Sequence, residues 1–155
     1  PLTLAIIRAL LVSFNDRIFA VPISSVVQTV RVQKSDIQTI KDHRAIYFHD
    51  SILSLASPAD VFSLEDEPER DQERVFVVVL AWGGRRIGLV VDGLLGDQEI
   101  VIRPLGEYIG EVKCISGATI LGDGRIALIL DTGGIIEQVS GLREDSSLPG
   151  LEVAE

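Results

Sequence analysis

A chain of 155 residues can bury one good core or two small ones, and its formal net charge of −9 argues against nucleic acid and anionic membrane surfaces, both of which want basic patches. Apolar content of 46% with 24% charged residues describes a folded domain, and aromatic content of only 5% means that its core must be aliphatic. The single cysteine excludes an internal disulfide framework and suits a reducing cytoplasm, and no apolar run reaches the roughly 18 residues of a membrane span. The chain begins at Pro1 with no leader pattern and contains no methionine, so a segment of a longer protein is expected.

Residues 4–12 read as a strand or connector running into a first hairpin, with Asn15-Asp16 as its turn and Ile18 to Ile23 as its return arm. Pro22 places that arm at an edge or at its own end. Ser24 is a candidate N-cap for a helical turn through Gln28, and Arg31 to Ile40 read as extended or loop structure. A second hairpin follows: Ala45 to Phe48, a turn at His49-Asp50-Ser51, then Ile52 to Leu55. Pro58 to Phe62 can start a short helix.

The run Glu65 to Arg74 holds six acids, two arginines and a proline with no apolar residue, the composition of a solvated linker. Beyond it, Val75 to Trp82, the Gly83-Gly84 turn and Arg86 to Asp92 form a third hairpin. Gly93 to Gly96 read as a turn, and Glu99 to Arg103 as a strand. From Lys113 to Asp131 two strands flank a Gly-Asp-Gly turn at 122–124. The second of them, Arg125 to Leu130, is apolar nearly throughout, as a strand buried on both faces requires. Thr132 to Val139 suggest a short helix, and residues 140–155 a polar, fraying tail.

The halves echo one another. Arg17 to Val21 match Arg86 to Val90, offset by 69 residues, and Asp50 to Leu55 match Asp123 to Leu128, offset by 73. The repeated unit reads as hairpin, short turn of helix, strand, hairpin, and many short strands at close spacing favour small closed barrels over an open sheet.

Catalytic chemistry is hard to find. His43 and His49 have no metal-site spacing with Cys114, and they read as loop residues. Cys114 lacks a base beside it and reads as an apolar filler. Gly83-Gly84 and Gly93 to Gly96 lead into no phosphate-cradling helix. Asp92, Asp97, Asp123 and Asp131 are most simply turn acceptors, and Arg85-Arg86 is a solvated basic pair or a contact for an acidic patch. No residue set suggests a cofactor or a metal.

What remains is apolar surface. Ile46, Tyr47, Phe48, Ile52 and Leu53 crowd one hairpin, and strand alternation lets only about half of them face inward. The rest face either the other barrel or a partner, and both readings stay open.

Four stretches carry a resemblance: PLTLAII at 1–7, YFHDSILSL at 47–55, GGRRIGLVVDGLLGDQEIVIRPLG at 83–106 and SGATILGDGRIALILD at 116–131. Together the chain resembles the CheW-like regulatory domain of the bacterial chemotaxis histidine kinase. At the second stretch it departs from the family's Arg-Gly-rich turn and Leu-Pro-Leu, and Cys114 stands where the family pattern often has glycine. The resemblance implies an all-β fold of two SH3-like five-stranded barrels with a few short helical turns. It also implies the division expected here. Residues 1–8 are a junction from a preceding kinase domain and 9–139 the CheW-like domain. Its first barrel lies at about 13–64, the acidic linker at 65–74, and its second barrel at about 75–131 with part of the N-terminal strand.

The resemblance further implies a non-catalytic module that binds the CheW adaptor and chemoreceptor tips and relays receptor state to the kinase domain. Ile46, Phe48, Ile52 and Leu53 are the candidate adaptor-facing residues. Leu94, Leu95 and Ile100 are the candidates for the second barrel or the groove between barrels. A free-standing adaptor of the same family is the near alternative. A small β-barrel enzyme or ligand-binding domain is the distant one, and it needs a polar pocket that the sequence does not supply.

Overall fold

The computed structural model describes residues 5–40, 43–62, 74–103 and 114–146. Eleven strands occur in chain order: β1 (Ala5–Phe14), β2 (Arg17–Pro22), β3 (Val26–Gln33), β4 (Gln38–Ile40), β5 (His43–Phe48), β6 (Ser51–Ala56), β7 (Arg74–Trp82), β8 (Arg85–Val91), β9 (Gly93–Ile102), β10 (Ile115–Ile120) and β11 (Ile126–Leu130). Helix α1 (Pro58–Phe62) follows β6, and α2 (Thr132–Ser146) follows β11. Both central residues of the β1–β2, β5–β6 and β7–β8 turns have positive φ, namely Asn15-Asp16, His49-Asp50 and Gly83-Gly84. That is the backbone of the tight hairpin turn whose twist matches its strands.

The strands form two small barrels. One sheet runs β10-β11-β2-β1-β9, and the Arg103–Ala118 bridge joins its outer strands. Gly117 permits this closure, because a Cβ there would lie 2.8 Å from the Arg103 carbonyl oxygen. The other sheet runs β3-β7-β8-β6-β5-β4, the three-residue β4 being a short sixth strand. A 3-10 turn at Lys34–Asp36 leads from β3 towards β4.

The expected division into barrels at 13–64 and 75–131 is therefore corrected. The first barrel pairs β1–β2 with β9, β10 and β11, while the second pairs β7–β8 with β3 to β6. Each hairpin inserts among the strands of the other half. Parallel ladders do the joining: Ile129 opposite Ala20 in one barrel, and Leu55 opposite Gly88 in the other. A parallel neighbour cannot come from a tight hairpin, so it is drawn from far along the chain.

The internal repeat is real, but its register differs by one residue from the sequence match. The turns put Asn15 with Gly83, an offset of 68, and the parallel ladders put Leu55 with Ile129, an offset of 74. The reason is facing. Ile18 and Ala20 point into the first barrel with Ala9, Leu11, Ile100, Ala127 and Ile129. Val77, Val79 and Val90 fill the second with Ile46, Leu53 and Leu55. Phe19 and Val21, like Ile87 and Leu89, face a third core shared by both barrels. A slip of one residue would exchange these faces.

Other expectations shift locally. Residues 5–8 of the expected junction are strand, with Arg8 opposite Glu99. The Ser24 region is a 3-10 turn at Ile23–Ser25 with no side-chain cap, and β3 begins at once after it. Gly93 to Gly96 open β9 instead of forming a turn. Helix α2 continues to Ser146, past the expected end at Val139. Residues 63–73, most of the acidic linker, lie outside the described residues.

The helices seal the shared core. Ile135, Ile136 and Val139 of α2 and Val61 of α1 enter it, and Phe62 stacks on Phe19 with ring centroids 5.7 Å apart. Ser57 and Asp60 cap α1 reciprocally: the Asp60 amide donates to Ser57 Oγ at 3.3 Å, and the Ser57 amide donates to Asp60 Oδ2 at 3.0 Å. Asp131 caps α2 by accepting from the Gly134 amide. Gln138 binds the helices together, donating from Nε2 to the Val61 carbonyl at 2.8 Å and accepting from Cys114 Sγ at 3.3 Å.

Gly88 occupies the position that Ala20 has in the first barrel. A Cβ there would lie 2.6 Å from both Leu55 Cδ2 and Val77 Cγ1, so neighbours would have to shift. Gly88→Ala is expected to destabilise the fold by about 1–3 kcal/mol, read as a lower urea midpoint with an unchanged slope. An unchanged midpoint would mean that the second barrel has slack at its centre.

Candidate interaction site

Among the described residues no group of three or more His, Cys, Asp or Glu side chains could hold a metal ion. Asp92 Oδ2 accepts from the Asn15 amide at 2.8 Å, which ties the first hairpin turn to the β8–β9 junction. Asp97 pairs with Arg8 at 3.0 Å across the β1–β9 ladder. Asp123 accepts from the Arg125 amide and from its Nε, and these bonds hold its carboxyl below the usual carboxylate range. Cys114 is buried in the shared core at φ +70°, a backbone region that suits glycine better than an L-residue. These groups serve the fold.

The apolar surface is more informative. The two-residue turn at His49-Asp50 puts Tyr47 opposite Ile52 and Ile46 opposite Leu53. Alternation then decides which pair is outside. Ile46 and Leu53 lie inside the second barrel, whereas Tyr47 is 69% exposed and Ile52 57%. The first barrel repeats the arrangement: Ile120 stands opposite Ile126, and they are 58% and 63% exposed. Ile52 and Ile126 are 74 residues apart, the same offset that relates Leu55 to Ile129. Each barrel thus presents one exposed apolar cross-strand pair at the equivalent place.

A second equivalent pair sits at two β-bulges. The β1–β9 register steps from Leu11–Gly96 to Val12–Leu94, so Leu95 is the extra residue. The β3–β7 register steps from Val26–Leu80 to Gln28–Val79, so Val27 is the extra residue. A bulge leaves one side chain out of the pleat, and both of these are exposed. Their neighbours Leu94 and Val26 are half-buried against the shared core.

Three of the seven sequence candidates are therefore corrected. Ile46, Leu53 and Ile100 are each 4% exposed and lie in barrel interiors, not on the surface. Phe48 is half-buried, packing on the second barrel's core with its ring edge-on to His49. Leu94 is half-buried too, and Ile52 and Leu95 reach the surface. Tyr47, Val27, Ile120 and Ile126 are surface residues missing from that set. The repeat held the missing signal: once Ile52 is on the outside, register places Ile126 there as well. Arg85 and Arg86 are exposed at the β7–β8 turn, and the Trp82 ring covers Gly133 at the start of α2.

The structure separates two neighbours on one strand. Leu53→Ala is expected to cost about 2–5 kcal/mol in urea unfolding, as a core truncation does, while Ile52→Ala stays within about 0.5 kcal/mol of wild type. Equal losses at both positions would contradict the assigned faces.

The comparisons fit a protein of this architecture. The CheW-like domain family model matches residues 8–140. The sensor histidine kinase CheAY of Helicobacter pylori is 38% identical over 143 residues, covering 92% of this chain and 18% of that protein. The chemotaxis protein CheA of Bacillus subtilis is 40% identical over 136 residues, covering 88% of this chain and 20% of that protein. The chain thus spans about a fifth of the length of these relatives. The crystal structure of the scaffolding protein TtCheW from Thermoanaerobacter tengcongensis superposes with a TM-score of 0.68 at 15% identity, covering 82% of this chain and 90% of that one. That likeness supports the two-barrel fold.

Proposed function

The chain belongs to the CheW-like domain family, and we propose that it is the non-catalytic regulatory domain of a chemotaxis histidine kinase, binding a CheW-type adaptor and chemoreceptor tips. The observation that carries this reading is the pair of equivalent apolar surfaces, Tyr47–Ile52 on one barrel and Ile120–Ile126 on the other. Large apolar side chains that a fold leaves outside at two matched places are what an assembling scaffold needs. The relatives are named as a sensor histidine kinase and a chemotaxis protein, which supports reading this chain as one part of a longer chemotaxis kinase; in that reading a kinase domain precedes it and it works in the cytoplasm at receptor arrays.

In this reading the exposed pairs meet adaptor molecules, one at each barrel. The bulge residues Val27 and Leu95, with Leu94 beneath, offer apolar contacts to a receptor helix hairpin lying between the barrels. On the β5–β6 hairpin the Tyr47–Ile52 pair takes the adaptor-facing place of Ile46 and Leu53. Anchors of this kind typically lose roughly 2 kcal/mol or more on truncation. Among the described residues no helix is long and apolar enough to cross a membrane.

Calorimetric titration of this chain with a CheW adaptor tests the reading. Tyr47→Ala and Ile126→Ala are each expected to weaken binding by about tenfold or more at an unchanged melting temperature. Wild-type affinity in both variants, or no saturable binding by wild type, would contradict it.

A further inference from the structure

We propose that the two halves of this chain are interchangeable between copies: residues 5–62 of one copy can build both barrels with residues 74–146 of a second copy. The proposal stands on topology and is independent of the functional reading. Four ladders join the halves: β1 to β9, β2 to β11, β3 to β7 and β6 to β8. Among the described residues, the pairing within a half is confined to the hairpins, the short β4 and the Arg103–Ala118 bridge.

Neither half contains a barrel. The first has β1–β2 without their neighbours β9 and β11, and it has β3 and β6 without the β7–β8 hairpin that separates them in the sheet. The shared core likewise takes Val12, Phe19 and Val21 from one half and Val78, Leu80, Ile87 and Leu89 from the other. The halves are thus complementary partners joined covalently through residues 63–73. Every contact between them is available equally to a half from another molecule, the arrangement that permits domain swapping.

The linker decides which form prevails. A short tether holds the halves at an effective concentration in the millimolar range, so single-chain closure dominates in dilute protein. Chains folding side by side, or refolding at about millimolar concentration, will close on each other instead. Opening a finished molecule requires all four ladders and the shared core to separate together, so a swapped pair persists on dilution.

Complementation between damaged full-length chains tests this. Ala20 and Ala127 are fully buried in the first barrel and belong to different halves. Ala20→Asp and Ala127→Asp each put an unpaired carboxylate there, and neither chain is expected to fold alone. Refolded together, they are expected to give a two-chain species by light scattering, with a cooperative melt and one folded unit per pair. Either variant refolded with the Ala20→Asp/Ala127→Asp double variant should give none, because one half then has no intact copy. A second test needs no damage: wild-type chain refolded from denaturant at rising concentration should yield a growing dimer fraction that survives dilution. No cooperative melt in the complementing mixture, or wild type that refolds only as monomer up to millimolar concentration, would overturn the proposal.

Discussion

Two hairpins that are apolar on both faces set the terms of this structure. In β1–β2 and β7–β8, one face fills the hairpin's own barrel and the other fills the core between barrels. Ala9 and Leu11 point one way while Val12 points the other, and Val77 and Val79 oppose Val78 and Leu80. Such strands cannot lie at a solvated edge, so they need neighbours on both sides and a layer above and below. The remaining strands wrap them, and the helices α1 and α2 cover the shared core.

This constraint explains where small residues are obligatory. Ala20 and Gly88 occupy matching positions, each opposite a bulky residue of a parallel strand, Ile129 or Leu55. Gly117 lets the first barrel close against the Arg103 backbone. Cys114 sits in the left-handed region, where an L-residue costs roughly 1–2 kcal/mol and glycine would cost none. Here burial of the thiol and its bond to Gln138 offset part of that cost.

Much of the fold was legible because periodicity and turn chemistry are local. Asn15-Asp16 and Gly83-Gly84 mark their hairpins in the sequence, and the apolar run from Arg125 to Leu130 marks β11, although Ile126 at its start is exposed and the strand is not buried on both faces throughout. Partnership between strands was not legible, because β2 with β11 and β6 with β8 are parallel pairs between distant segments. The repeat was visible, yet its register slipped by one, since matching Ile18 to Ile87 preserves residue type and reverses the face. The same parity governs the site. Tyr47 and Ile46 are adjacent and both apolar, and only the length of the His49-Asp50 turn decides that Tyr47 is outside. Leu95 was among the sequence candidates, but the bulge that exposes it, like the one that exposes Val27, leaves no composition signal.

Surface, core and topology combine into one account. Strands from both halves build two barrels, and equivalence between the barrels duplicates an exposed apolar pair. That duplication suits a link in an extended assembly better than a catalyst. Amide hydrogen exchange of this chain, alone and saturated with a CheW adaptor, tests the claim most directly. The account predicts that adaptor binding slows exchange at the ends of the β5–β6 and β10–β11 hairpins, around residues 47–52 and 120–126. Protection confined to other surfaces, with both hairpin ends unchanged, would contradict it.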